Sequence, residues 1–137
     1  MLSNKTKYAI KALVALARNK EPMTILQIAE KEIIPKKFLE AILLELRKAG
    51  ILNSKKGKGG GYVLARAPQD ISVGDIIRTL DGSFSEIFFE SDNKEINEIK
   101  IIMKEVRDAM SNILDKTSLG EVIERACNGQ NVLNYVI

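Results

Sequence analysis

A glycine tract between two strand-like segments constrains this chain more than any other feature. Residues 57–61 read Gly-Lys-Gly-Gly-Gly, and the segments 51–56 (ILNSKK) and 61–66 (GYVLAR) lie on either side of the tract. Short strand-like segments joined by glycines predict a hairpin with a flexible tip. Lys55, Lys56 and Lys58 surround that tip. Because glycine lets a backbone approach a ligand closely, the pattern favours a polyanion contact, although a bare flexible turn has the same composition.

Three segments with helical periodicity precede the hairpin. Apolar residues recur at helical spacing over 3–18, and Ser3 is the expected N-cap. Thr24 and Gln27 have the spacing of a capping box, which predicts a short helix over 24–32. A third helix is predicted over 35–49, stopped by a left-handed Gly50. Its expected buried stripe is Phe38, Leu39, Ile42, Leu43 and Leu46.

Similar signals continue after the hairpin. Ser72 and Asp75 predict the start of a helix that runs to about residue 80. A loop over 83–94, containing Ile87, Phe88 and Phe89, and a long helix over 95–116 are expected next. Ser118 and Glu121 predict a last short helix stopped at 128–129, and the tail 131–137 is expected to form a short strand or a docked extension.

Composition excludes several classes of protein. Hydrophobic residues make up 45% of the chain, which argues against disorder. The longest uncharged stretch, 126–137, is too short to cross a bilayer, and no secretory signal is visible, so we expect a cytoplasmic protein. A single cysteine and the absence of histidine argue against a disulfide framework and a zinc site.

Charge divides the chain into two unlike halves. Residues 1–68 contain 14 Lys and Arg against 5 Asp and Glu, a net charge of +9, and residues 69–137 carry −6. A basic first half suits a polyanion that the acidic second half would repel. Two ordinary solvated surfaces remain the alternative explanation.

The order of the elements predicts a winged helix-turn-helix. In that fold the second helix of the pair enters the DNA major groove. The helix 35–49 has the amphipathic character required, because Lys36, Lys37, Glu40 and Ala41 lie opposite its apolar stripe. A plain three-helix bundle with a solvated face is the alternative. The residues expected at the DNA interface are Lys5, Lys7, Thr24, Gln27, Lys36, Lys37, Glu40, Ala41, Lys55, Lys56, Lys58, Gly59, Gly60, Gly61 and Tyr62.

The long helix carries an apolar seam. Its residues are spaced by alternating steps of three and four, as in a coiled coil. We expect the seam to form a homodimer interface, and packing onto the chain's own first helix is the alternative. The seam residues are Ile96, Ile99, Met103, Val106, Met110 and Ile113.

Three segments carry a resemblance to a known family. They are KTKYAIKALVALA near the N-terminus, TILQIAEKEIIPKKFLEAILLELRKAGIL, and KKGKGGGYVLARAPQDISVGDIIRTLDG. The chain resembles the bacterial winged-helix regulators that include IscR, NsrR and CymR, the Rrf-two family. The resemblance implies a homodimer on a partly palindromic operator, with Lys37 and Glu40 on the base-reading helix. Lys56 falls where the family's wing usually has arginine, which makes a bidentate contact that lysine cannot make.

The resemblance also implies a departure within the family. Many members place three cysteines between the short helix after the wing and the long helix, where they hold an iron–sulfur cluster. The corresponding segment here, FSEIFFESDNKEINEIK, contains none. The chain therefore resembles the cluster-free branch, in which CymR acts with a partner protein, and we expect neither a cofactor nor a metal.

These features together predict a fold and a function. We expect a mainly α fold with a small β-hairpin wing, divided into a DNA-binding domain over 1–82 and a dimerisation helix with a C-terminal extension over 83–137. The expected function is sequence-specific regulation of transcription, without catalysis, because no nucleophile or paired-acid motif is present. A protein-interaction module on the same scaffold and a binder of nucleic acid without sequence preference are the alternatives.

Overall fold

The computed structural model describes residues 2–84 and 97–136, with side chains up to residue 129. The chain forms six α-helices in the described part, together with one two-stranded antiparallel sheet. Within these residues no helix is both long and apolar enough to cross a membrane. The elements are α1 (Asn4–Arg18), α2 (Ile25–Glu32), α3 (Lys36–Lys48), β1 (Leu52–Lys55), β2 (Gly61–Leu64), a 3-10 turn (Pro68–Asp70), α4 (Val73–Asp81), α5 (Asn97–Lys116) and α6 (Leu119–Val136).

Local side-chain chemistry sets the ends of the first helices. The Ser3 side chain accepts a hydrogen bond from the backbone N–H of Thr6. Thr24 and Gln27 form a complete capping box, with donor–acceptor distances of 2.9 and 3.2 Å. Helix α3 ends with Gly50 at φ 78°, where the N–H groups of Gly50 and Ile51 bond back into its last turn. The predicted helix starts and the Gly50 stop are therefore confirmed.

One apolar core joins both halves of the chain. Leu13 of α1, Ile28 of α2, Leu43 of α3 and Ile76 of α4 are fully buried in it. Leu119, the first residue of α6, is buried in the same cluster. The start of α6 therefore packs onto the N-terminal half. The assignment of DNA binding to residues 1–82 and of dimerisation to residues 83–137 stays a prediction.

A backbone ladder joins the wing to the helix pair. Strands β1 and β2 pair antiparallel, with Leu52 opposite Leu64 and Lys55 opposite Gly61. The other edge of β2 pairs with Met23, because Met23 N–H donates to Tyr62 O at 3.1 Å and Tyr62 N–H donates to Met23 O at 2.7 Å. Met23 directly precedes the N-cap of α2. The hairpin and the helix-turn-helix therefore form one unit.

The junction of α5 and α6 is attached to α4. Val73 N–H donates to Thr117 O at 2.9 Å, and Leu119 N–H donates to Ile71 O at 2.8 Å. The Arg78 guanidinium bonds both carboxylate oxygens of Asp115 at 2.7 Å. Its hydrogen bond to Asp115 raises the pKa of Arg78 and lowers that of Asp115. This bidentate pair fixes the end of α5 on the helix that follows the wing.

Two structural predictions were wrong. Helix α6 does not stop at 128–129 but continues to Val136, so the tail is helical. An interior glycine costs a helix only about 1 kcal/mol, which does not end it. Phe38 is 61% exposed, because it lies at the edge of α3 beside a hollow that also borders Asn4 and Tyr8. The predicted loop residues Ile87, Phe88 and Phe89 lie outside the described residues.

Asp81 at the end of α4 accepts hydrogen bonds from the start of α1. Its carboxylate accepts hydrogen bonds from the Ser3 N–H at 3.1 Å, the Ser3 hydroxyl and the Thr6 hydroxyl at 2.7 Å. Burial raises the pKa of Asp81, but the hydrogen bonds from Ser3 and Thr6 lower it, and the net pKa lies below the ordinary 3.8. A negative charge at a helix N-terminus also stabilises the helix. The ionised carboxylate therefore stabilises the native state.

We predict that Asp81→Asn lowers the free energy of unfolding by about 1–2 kcal/mol at pH 7, since an amide replaces a charged acceptor of several hydrogen bonds. A group with a lowered native pKa stabilises the fold above its unfolded pKa, and this contribution disappears as pH falls through the native value. Urea unfolding of the wild type and the variant should therefore converge in acid. Asp70→Asn, at an exposed carboxylate, serves as the control and should change little. A difference that persists unchanged below the native pKa of Asp81 would contradict this role.

Candidate nucleic-acid interface

The first turn of α3 is an unusual helix start. Pro35 occupies the N-cap and no side chain caps the turn. Lys36 and Lys37 follow at once, and the first turn contains no acidic residue. Free N–H groups and the helix dipole make an N-terminus positive, so two lysines there destabilise the helix by about 0.3–1 kcal/mol each. The same arrangement attracts an anion such as a phosphate group.

The outward face of α3 continues from this turn. Leu39, Ile42, Leu43 and Leu46 are buried, and they define the inner side of the helix. At about 100° per residue, the opposite side carries Lys37, Ala41, Leu44 and Lys48, with Glu40 at its margin. All five of these side chains are exposed. The structure thus places the predicted Lys36, Lys37, Glu40 and Ala41 on an accessible surface of one helix.

The N-terminus of α2 and the wing share a hollow of about 570 Å³. Thr24, Gln27, Lys55, Gly59, Gly60 and Gly61 are among the residues that line it. A Cβ atom at Gly61 would lie 2.4 Å from the Met23 carbonyl oxygen, so only glycine permits the pairing of Met23 with β2. Lys56 and Lys58 are exposed at the tip. The Met23–Tyr62 ladder therefore brings the α2 and wing candidates together.

Three other predicted residues lie in different surroundings. Lys5 forms an ion pair with Glu45 of α3, with a distance of 2.7 Å between Nζ and the carboxylate oxygen. Lys7 is exposed on α1. Tyr62 is half-buried and packs against the core rather than extending from the wing tip. Contacts of these three residues with DNA stay predictions.

The wing and α3 supply cations that have no anionic partner among the residues that the structure describes. Lys36, Lys37, Lys55, Lys56 and Lys58 are all exposed. With partners sought among residues 2–84 and 97–129, none of the five forms an ion pair. Lys5 differs in having Glu45. The five lysines form a basic surface across two elements, which suits a polyanion.

The donor set does not fit an iron–sulfur cluster. Such clusters are normally held by cysteine thiolates. The sequence has one cysteine and no histidine. Cys127 is exposed on α6, and no group of three acidic, cysteine or histidine side chains is placed to hold a metal ion in the described part.

The predicted seam of α5 is divided between two faces. Met103 and Met110 are half-buried on α5, the helix that contacts α4. Ile99, Val106 and Ile113 are exposed, and Ile96 lies outside the described residues. We define the α5 stripe by the exposed residues that continue the same steps of three and four: Ile99, Ile102, Val106, Ala109 and Ile113. Among the described residues α5 packs mainly against α4 rather than α1, and the homodimer interface stays a prediction.

Sequence reasoning missed features that depend on tertiary pairing. The Met23–Tyr62 ladder has no local signal, because Met23 is not part of a recognisable strand pattern. The Lys5–Glu45 pair joins residues that are forty positions apart. The missing side-chain cap of α3, in contrast, could be predicted from the sequence, because the side chain of Pro35 can neither donate nor accept a hydrogen bond.

Comparison with known proteins identifies the same function class. The family model described as "Rrf2: Iron-dependent Transcriptional regulator" matches residues 2–125. An Rrf2-like regulator of Rhodobacter capsulatus is 46% identical over 92 residues, which cover 64% of this chain and 61% of that protein. The HTH-type transcriptional regulator CymR of Bacillus subtilis is 33% identical, and the match covers 99% of this chain and 99% of that protein.

Solved structures agree with the sequence comparison. The structure of CymR, described as the global cysteine regulator of B. subtilis, has a TM-score of 0.81 and 31% identity, covering 91% of this chain and 97% of that one. The structure of IscR from T. potens has a TM-score of 0.76 and 34% identity, covering 92% and 88%. These relatives are transcriptional regulators and not enzymes. The uncapped basic helix, the attached glycine wing and the family match over residues 2–125 lead to one conclusion: the chain belongs to the Rrf2 family of transcriptional regulators.

Proposed function

We propose that this regulator binds duplex DNA sequence-specifically, as a homodimer on a partly palindromic operator, and that it does so without an iron–sulfur cluster. The observation that carries the proposal is the first turn of α3, where an uncapped N-terminus is followed by two exposed lysines that form no ion pair within residues 2–84 and 97–129. A bacterial regulator of this kind acts in the cytoplasm, where the operator is.

Binding to a DNA duplex explains why lysines are exposed both on α3 and on the wing. The major groove admits an α-helix, and a wing places its lysines on the adjacent phosphates or minor groove. Because Met23 joins β2 to the start of α2, docking of α3 fixes where Lys55, Lys56 and Lys58 reach. A protein partner would not need cations divided between these elements, which favours DNA over the interaction-module alternative.

The α5 stripe supports a homodimer. Ile99, Ile102, Val106 and Ile113 are each more than 40% exposed in a single chain. With Ala109 they have a 3-4-3-4 spacing, which matches the seam that a second helix covers. A two-fold dimer presents two copies of α3 to two half-sites, and the second contact then forms without a second loss of translational freedom.

The absence of thiolate donors supports function without a cluster. The matched family model is described as iron-dependent, but the segment between α4 and α5 supplies no cysteine or histidine. Regulation by a ligand or by a partner protein is therefore the expected alternative to iron sensing, and a partner protein stays a prediction.

The DNA proposal is tested with Lys37→Glu. A carboxylate in the first turn of α3 should raise the free energy of unfolding by about 0.3–1 kcal/mol. The same change should weaken binding at least tenfold to a duplex selected from random DNA by the wild type, because it removes a phosphate or base contact and adds repulsion. Thermal unfolding and fluorescence-anisotropy titration measure the two effects.

Lys104→Glu is the control, since it makes the same change of net charge on an exposed part of α5. It should leave operator affinity near that of the wild type. If Lys37→Glu binds DNA as tightly as Lys104→Glu, α3 does not enter the groove. Failure of the wild type to select any sequence would instead favour the interaction module or a binder without sequence preference.

The dimer proposal is tested with adjacent isoleucines of similar exposure. Ile102 is 58% exposed on the α5 stripe, and Ile101 is 63% exposed about 100° away from it. Ile102→Glu should give a folded monomer in sedimentation, because a dimer would bury an unpaired carboxylate at a cost of several kcal/mol. Ile101→Glu should remain dimeric. A dimeric Ile102→Glu variant with full operator affinity would place the contact elsewhere.

The cluster-free proposal is tested by anaerobic reconstitution with iron and sulfide. The protein should remain colourless and contain no stoichiometric iron, because three thiolate ligands are missing. Operator affinity should be equal before and after treatment with an iron chelator. A visible charge-transfer band with stoichiometric iron would overturn this part of the proposal.

A further inference from the structure

Large exposed apolar side chains are confined to two regions of the described chain. One is α5, with Ile99, Ile101, Ile102, Val106 and Ile113, and the other is the helix-turn-helix, with Leu26, Ile33, Phe38 and Leu44. Single exposed apolar residues are common on protein surfaces. Since both regions contain a surface proposed for binding, we expect some of these side chains to become buried against a ligand.

Among these residues of the helix-turn-helix, Leu44 lies on the outward face of α3. It is 46% exposed on the outward face of α3, two turns after Lys37 and one turn before Lys48. Ala41 precedes it on the same face, so the middle of this face is apolar and small and its two ends are cationic. A helix with cations at both ends of its outward face can bind phosphates on either side of a groove while the middle meets base edges.

Only one chemical group in the major groove suits an exposed leucine. Thymine presents its C5-methyl group there, whereas the other base edges present hydrogen-bond donors and acceptors. A leucine against those polar edges would leave them without partners, which costs free energy. Contact with a methyl group removes apolar surface of both partners from water.

We propose that Leu44 is a specificity-determining residue that reads a thymine methyl group in each operator half-site. This inference rests on the proposed DNA-binding function and adds the base class that α3 recognises. Leu44 is seven residues from Lys37, or about 10 Å along the helix axis.

Phe38 provides a matched comparison on the same helix. It is more exposed than Leu44, but it lies about 120° away around α3, beside Asn4 and Tyr8 of α1. An apolar side chain in that position borders the α1–α3 hollow rather than the centre of the outward face. Loss of Phe38 therefore tests whether any exposed apolar residue of α3 would have the same effect.

The test replaces single thymines of the selected half-site with deoxyuridine, which lacks only the C5-methyl group. Wild-type affinity should fall about fourfold at one thymine, the value of one buried methyl-sized group. For Leu44→Ala, the duplexes with thymine and with deoxyuridine at that position should bind equally. Phe38→Ala and Leu44→Met should keep the fourfold ratio, the second because an apolar side chain remains.

The results separate failure of the Leu44 inference from failure of the DNA-binding proposal. A fourfold ratio that persists in Leu44→Ala, or a wild type insensitive to every thymine replacement, overturns the role of Leu44 and leaves the DNA-binding proposal intact. Loss of the ratio in Phe38→Ala also overturns it, since the effect would not be specific to the outward face. If the wild type selects no sequence at all, the proposed function and this inference fail together. Circular dichroism confirms that each variant is helical.

Discussion

The pairing of Met23 with Tyr62 is the contact on which the arrangement of the interface depends. Two backbone hydrogen bonds of 3.1 and 2.7 Å attach the wing to the residue before the α2 N-cap. The hairpin also packs on the core through Leu52 and Leu64, and the two bonds tie the free edge of its second strand to the helix pair. Gly61 makes the approach possible, because a Cβ atom would collide with the Met23 carbonyl. One local steric requirement thus positions lysines of the wing relative to α3.

Several features of the chain reduce its stability, and binding explains them better than folding does. Helix α3 begins with two lysines and no side-chain cap. Ile33, between α2 and α3, has a left-handed φ of 55°, which is unfavourable for a β-branched residue. The α5 stripe leaves large apolar side chains in water. The first and the third lie on surfaces proposed to meet DNA or a second copy, whereas the core of the described residues is apolar apart from the hydrogen-bonded Thr6.

Helix ends that depend on neighbouring residues in the chain could be predicted from the sequence. The capping box at Thr24, the N-caps at Ser3 and Ser72, and the Gly50 stop depend on side chains within four positions, and all four formed. Features determined by distant residues were not predicted. Helical periodicity could not show which row of α5 would be half-buried, so Met103 and Met110 were assigned to the same surface as Val106. The exposure of Phe38 likewise depends on how little of α1 covers that edge of α3.

The salt dependence of operator binding tests the central claim most directly. Each phosphate contact that a lysine makes contributes about 0.9 to the slope of log affinity against log salt concentration. If the wing is attached where the Met23–Tyr62 ladder places it, changing Lys56 and Lys58 together to alanine should reduce that slope by nearly two per monomer and weaken binding to every duplex. A double variant with the affinity and slope of the wild type would show that the wing does not touch DNA.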